Sequence, residues 1–178
     1  MTQWIALIRG INVGGNNVVP MKALRDLLGQ RGFSTVRTYI QSGNCILDAD
    51  DMTAAEIETG IASVIEDGFG FRPDVMAFTA TDFASAIARN PFAARKFDPK
   101  HTHIFFLDKT PARPDIDAMN RLLQPGEAFE LRDRLFFLRA SNGVGRSKIA
   151  ARIERFLGVT ATSRNLNTVQ KIQALLDT

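Results

Sequence analysis

The apolar positions of the chain fall into short runs that repeat one order twice. Trp4–Ile8 is apolar without alternation, as expected of a strand covered on both faces. Ala23, Leu24, Leu27 and Leu28 then recur at helical spacing from Pro20, a good first helical residue, to about Arg31, where Gly32 stops them. Val36–Gln41 and Cys45–Asp48 read as a hairpin around Gly43-Asn44, with glycine placed for a type II′ turn. That register sets Ile40 opposite Leu47 and turns Arg37, Tyr39 and Gln41 to the other face. Thr53 and Glu56 have capping-box spacing ahead of Ile57, Ile61, Val64 and Ile65, and Gly68 and Gly70 end that helix. Asp74–Phe78 closes the series as a strand, giving β-α-β-β-α-β.

The order then starts again. Thr81–Ala88 predicts a short helix broken at Asn90-Pro91, followed by a connection to about Lys100. His103–Leu107 predicts a strand, Pro114–Leu123 a helix, and Ala128–Arg132 with Leu135–Arg139 a hairpin turning at Asp133-Arg134. Ser147–Leu157 predicts a helix, Val159–Ala161 a short last strand, and Asn165–Leu176 a final helix. The expectation is an α+β chain of two ferredoxin-like halves, 1–80 and 102–178, joined by a helical connection over 81–101. HIFFL and LFFL are apolar on both faces, whereas helices cover only one side of a ferredoxin-like sheet. The halves are therefore expected either to pack sheet toward sheet or to share one barrel-like sheet.

Composition narrows the class. A hydrophobic fraction of 45% is ordinary for a globular chain, and 178 residues are enough to bury a core. Cys45 is the only cysteine, so no intrachain disulfide forms. The first residues reach Arg9 without a signal-like apolar stretch, and no apolar run approaches the length of a membrane span; the cytoplasm is the expected compartment. The net charge of +3 is uneven: residues 1–90 carry 7 Lys and Arg against 10 Asp and Glu, and residues 91–178 carry 15 against 9. A basic surface on the second half attracts phosphates, nucleic acid or acidic partners, or is simply a solvated face.

Four polar stretches stand out. RGINVGGNN, residues 9–17, lies between the first strand and helix; Gly10 and Gly15 have Walker A separation, but Asn16 and Asn17 replace the required Lys and Ser/Thr, and the Rossmann spacing is absent. What remains is a loop able to turn backbone N–H groups toward an anion, with Arg9, Asn12, Gly14, Gly15, Asn16 and Asn17 in it and Lys22 beyond, or a structural loop whose asparagines cap their own backbone. Tyr39, Gln41, Ser42 and Asn44 crowd the hairpin end. Arg146, Ser147 and Lys148 follow two glycines at a predicted helix start, where an anion would relieve the conflict between two cations and the helix dipole. Arg164, Asn165 and Asn167 give the last predicted helix a similar start. These stretches are expected to converge on one cleft.

Two stretches together carry a resemblance. IALIRGINVGGNNVVPMKALRDLLGQRGFSTVRTYIQSGN and GVGRSKIAARIERFLGVTATSRNLNTVQKI resemble the N-terminal and C-terminal signatures of the bacterial domain of unknown function 1697 family. One departure is Leu166, where the family more often carries Trp. The resemblance implies a small α+β protein of duplicated ferredoxin-like character and implies no activity. No cofactor motif and no metal site are read: His101 and His103 are the only histidines, and no third ligand has the spacing to join them. The expected function is binding of an anionic ligand, a nucleotide or nucleic-acid phosphate, with no membrane partner. An enzyme acting on a small phosphorylated or carboxylated metabolite, using Tyr39, Lys22 or Lys148, and a protein-interaction module are the alternatives.

Overall fold

A computed structural model describes residues 1–94 and 97–176 of the chain; Arg95 and Lys96, in the expected connection, lie outside the described residues. The fold is α+β. It divides into two compact units, the first comprising Met1–Ser85 with the described residues from Ile172 onward, the second Ala86–Lys171.

The first unit runs β1 (Gln3–Ile8), α1 (Met21–Gln30), β2 (Ser34–Tyr39), β3 (Asn44–Asp48), α2 (Ala54–Phe69) and β4 (Val75–Thr79), followed by α3 (Ala80–Ala88). Its antiparallel sheet has the order β2-β3-β1-β4. Strand β1 is central, which is why its apolar run does not alternate: Ala6 and Ile8 face the helical side, and Ile5 and Leu7 on the other side are fully buried too. Helix α2 starts at the predicted capping box, with Thr53 and Glu56 exchanging backbone hydrogen bonds. It passes through Gly68 and ends at Gly70, whose φ of 81° closes the helix in the left-handed region.

The hairpin corrects the expected register. Tyr39 pairs with Asn44, leaving the four-residue loop 40–43 in place of a two-residue type II′ turn. Ile40, at φ 50°, is half exposed in that loop and does not face Leu47. The reason is close packing at Gly43, where a Cβ would sit 2.8 Å from the Ile8 carbonyl oxygen.

The second unit runs β5 (Thr102–Leu107), α4 (Ile116–Leu122), β6 (Glu127–Arg132), β7 (Leu135–Ala140), α5 (Ile153–Leu157), β8 (Ala161–Asn165) and the first part of α6 (Leu166–Leu176). Its sheet order, β6-β7-β5-β8, repeats the first. Two separate four-stranded sheets form, not one shared barrel-like sheet. The β6–β7 turn at Asp133-Arg134 is as predicted, with Asp133 at φ 53°. The predicted helix over 147–157 is not regular: 3₁₀ turns occupy Val144–Arg146 and Ala150–Arg152, and only α5 is α-helical. The last strand lies over 161–165 and not 159–161, so Arg164 and Asn165 are strand residues.

Both units treat the strand after their second helix alike. Glu58 of α2 accepts a hydrogen bond from Ala77 N–H on edge strand β4 at 2.9 Å, and Glu154 of α5 accepts one from Ala161 N–H on edge strand β8 at 2.9 Å. No helix among the described residues is long and apolar enough to cross a membrane.

Candidate functional site

The loop after β1 spends its polar groups on itself. Asn12, at φ 54°, accepts a hydrogen bond from Val19 N–H at 2.8 Å and donates through Nδ2 to the carbonyls of Val19 and Gln41, both at 2.9 Å. Asn17, at φ 51°, donates to the Gly10 carbonyl, and its own carbonyl accepts from Asn12 N–H. Gly14 and Gly15, at φ 60° and 78°, turn a tight bend closed by the Val13–Asn16 bridge. These amides build the loop, as the structural reading of its asparagines expected. The outermost side chains there include Val13 and Val18, more than 60% exposed.

The hairpin residues meet this loop. Asn44 is fully buried and donates to the Tyr39 carbonyl and to Ser42 Oγ, and Ile8 N–H donates to the Gly43 carbonyl at 2.8 Å. Tyr39 is half-buried and Gln41 exposed. Two of the four predicted stretches thus come together in the first unit. Their cations, however, are already matched: Arg9 pairs with Asp74 at 3.3 Å and Lys22 with Asp26 at 2.9 Å. The same holds through the unit, where Arg31 pairs with Asp67, Arg72 with Glu66, and Arg25 donates to Thr38 Oγ1.

In the second unit the predicted stretches change character. Ser147 is buried and its Oγ accepts from Ala150 N–H at 3.2 Å, capping an irregular turn. Gly143, at φ 90°, leads into a single 3₁₀ turn over Val144–Arg146, and the α-helix begins only at Ile153, so no α-helix dipole is available to Arg146 and Lys148 and the expected conflict at a helix start is absent. Both side chains are exposed. Arg164 is buried on β8 and donates through Nη1 to Thr162 Oγ1 and the Ser163 carbonyl, each at 2.8 Å. Asn165 accepts from Asn167 N–H at 2.8 Å and donates to the Lys100 carbonyl, so it caps the start of α6; Asn167 is exposed. His103 is buried beside apolar Phe105 on the helical side of β5, and loss of hydration lowers its pKa to about 4, helped by the nearby charge of His101. Among the described residues no three His, Cys, Asp or Glu side chains group as metal ligands do.

A groove between α4 and α5 was not among the predicted sites. It has a volume of about 320 Å³ and is lined by Asp115, Ala118, Arg121 and Leu122 on one side and Arg152, Arg155 and Phe156 on the other. Asp115 is committed in part, accepting from Ala118 N–H at 2.9 Å as the cap of α4. None of the three arginine side chains forms a hydrogen bond or ion pair among the described residues. The only local sequence signal was the Arg152-x-x-Arg155 spacing, which puts two cations on one helical face. Arg121 joins them only through the fold.

The first unit has a matching groove between α1 and α2, of about 300 Å³, lined by Leu27, Gln30, Arg31, Val64, Asp67 and Gly68. Its one arginine is neutralised by Asp67. The unit totals follow the same contrast: residues 86–171 hold 16 Lys and Arg against 8 Asp and Glu.

A family model described as "Protein of unknown function (DUF1697)" matches residues 1–137. Among solved structures, the chain is similar to the conserved bacterial protein SP0830 from Streptococcus pneumoniae, with a TM-score of 0.73 and 24% identity over 98% of each chain. No curated protein matches it.

Proposed function

The chain belongs to the family of proteins of unknown function DUF1697, a membership that supplies a fold and no activity, and from its residues we propose that it binds an anionic ligand bearing phosphate, of nucleotide or nucleic-acid type, through its second unit. The observation that carries this reading is the supply of unpaired cations. Arg121, Arg146, Lys148, Arg152 and Arg155 are exposed there without a hydrogen-bonding or ionic partner among the described residues, whereas the arginines and lysines of the first unit are engaged within it. Unmatched like charges raise the energy of the free protein and are relieved by an incoming anion. The Gly/Asn loop and the Tyr39–Asn44 hairpin serve in this reading as scaffold.

The two units are read as copies of one ferredoxin-like βαββαβ unit. Three features support this: the repeated element order, the repeated strand order, and the matched carboxylates, Glu58 on Ala77 and Glu154 on Ala161.

Thermal unfolding against nucleotides, sugar phosphates and short oligonucleotides tests the reading. A ligand at about 100 times its Kd stabilises by roughly 2.7 kcal/mol, or about 5–10 °C in a domain of this size. A shift that shrinks with salt is expected for an oligonucleotide. No shift with any phosphate-bearing compound removes the proposal.

A further inference from the structure

We infer that the α4–α5 groove is the seat of a single phosphoryl group carried by a small molecule, a phosphomonoester and not a continuous nucleic-acid strand. The inference rests on the anion-binding reading above and assigns its site and ligand class.

Three observations carry it. The first is chemical. All the groove's cations are arginines, whose planar forks present donors in pairs that match phosphate oxygens, while the unit's lysines lie outside the groove. The second is the internal comparison. The α1–α2 groove has nearly the same volume and position between its helices, yet its arginine is paired with Asp67 and its remaining lining includes Leu27, Val64 and Gly68. A helix pair of this fold therefore does not by itself concentrate unpaired guanidinium groups. The third is the shape of the lining. A volume of about 320 Å³ is at the lower end of the range for small-molecule sites. Ala118, Leu122 and Phe156 supply an apolar wall for a short carbon skeleton. Asp115 stands at the same rim; its Oδ1 is held by Ala118 N–H, and its charge turns a phosphoryl group toward the arginines and favours a hydroxyl or amine donor on the ligand beside it.

The experiment is calorimetric titration of the full chain with inorganic phosphate, glycerol 3-phosphate and a twelve-nucleotide single-stranded RNA. It compares the native chain with R152A/R155A, R121A, R146A/K148A and R152K/R155K. The groove arginines are exposed, so an unchanged Tm is expected in the first two and confirms folding. Expected are a tenfold or greater loss of glycerol 3-phosphate affinity in R152A/R155A and in R121A, a partial loss in R152K/R155K, and a change within twofold in R146A/K148A. Native-level binding by R152A/R155A overturns the inference. Binding of RNA without either phosphate compound overturns it too, and leaves the anion-binding reading standing. Absence of binding to all three probes overturns both.

Discussion

The helical layers of the two units differ more than their sheets. The first sheet is backed by helices of 10 and 16 residues; the second has the same strand order but is backed by helices of 7 and 5. The cores differ in how their rings are placed. The first gathers Leu24, Leu28, Ile57, Ile61 and Ile65 together with Trp4 and Phe33. The second is built on phenylalanines: Phe136 packs edge-on to Phe105 at 5.8 Å between ring centroids and stacks with Phe129 at 5.3 Å. Large rings fill volume that short helices leave open, since each buries on the order of 150–250 Å². Where the helices are short, the groove between them carries exposed arginines and no neutralising carboxylate beyond the partly committed Asp115. The comparison teaches that one strand order can be supported in two ways, and that the economy in helix frees surface for charge.

The comparison breaks first at its aromatic centre. Phe136→Ala is expected to cost about 3–5 kcal/mol in urea unfolding, as large a loss as any single aliphatic truncation such as Leu24→Ala in the first unit. A loss below about 1 kcal/mol would show that the phenylalanines do not hold up the second sheet.

A smaller effect separates the units by pH. His103 has its pKa lowered to about 4 by burial, against about 6.5 when unfolded, so below pH 6.5 the unfolded chain takes up the proton first. Stability from keeping this imidazole neutral is complete above pH 6.5 and drains away as the pH falls toward 4, by about 2 kcal/mol. Urea midpoints measured from pH 7 to 4 should fall less steeply for His103→Gln than for the native chain. Parallel curves would remove His103 as a source of acid sensitivity.

The smallest expected effect concerns helix ends. Thr53→Ala removes the capping box of α2 and should cost about 1 kcal/mol, read as a drop of about 2–4 °C in Tm. Helix α5 has no side-chain cap to lose.

Much of this was legible because local signals agreed with the fold. Thr53 and Glu56 marked a helix start through two reciprocal hydrogen bonds between residues three apart, and Asp133-Arg134 marked a two-residue turn. What escaped depended on distance. Ile149, Ile153, Phe156 and Leu157 bury as their helical spacing requires, yet Gly145 and Ser147 yield 3₁₀ turns that share the same spacing over one or two turns. Strand β8 is polar in sequence, and Arg164 would not be placed in a buried strand by propensity; its pairing with β5 decides it. The arginine groove draws Arg121 from a helix some thirty residues away from Arg152, so no window of sequence contains it.

The matched carboxylates on the last strand of each unit have a consequence for crowding. An edge strand with open N–H groups is a template on which another molecule can extend the sheet, and successive additions produce fibrous assemblies. Glu58 and Glu154 occupy an edge N–H on β4 and on β8 and set a negative charge where a recruited strand would lie. Each sheet therefore carries a built-in stop against polymer growth on that border.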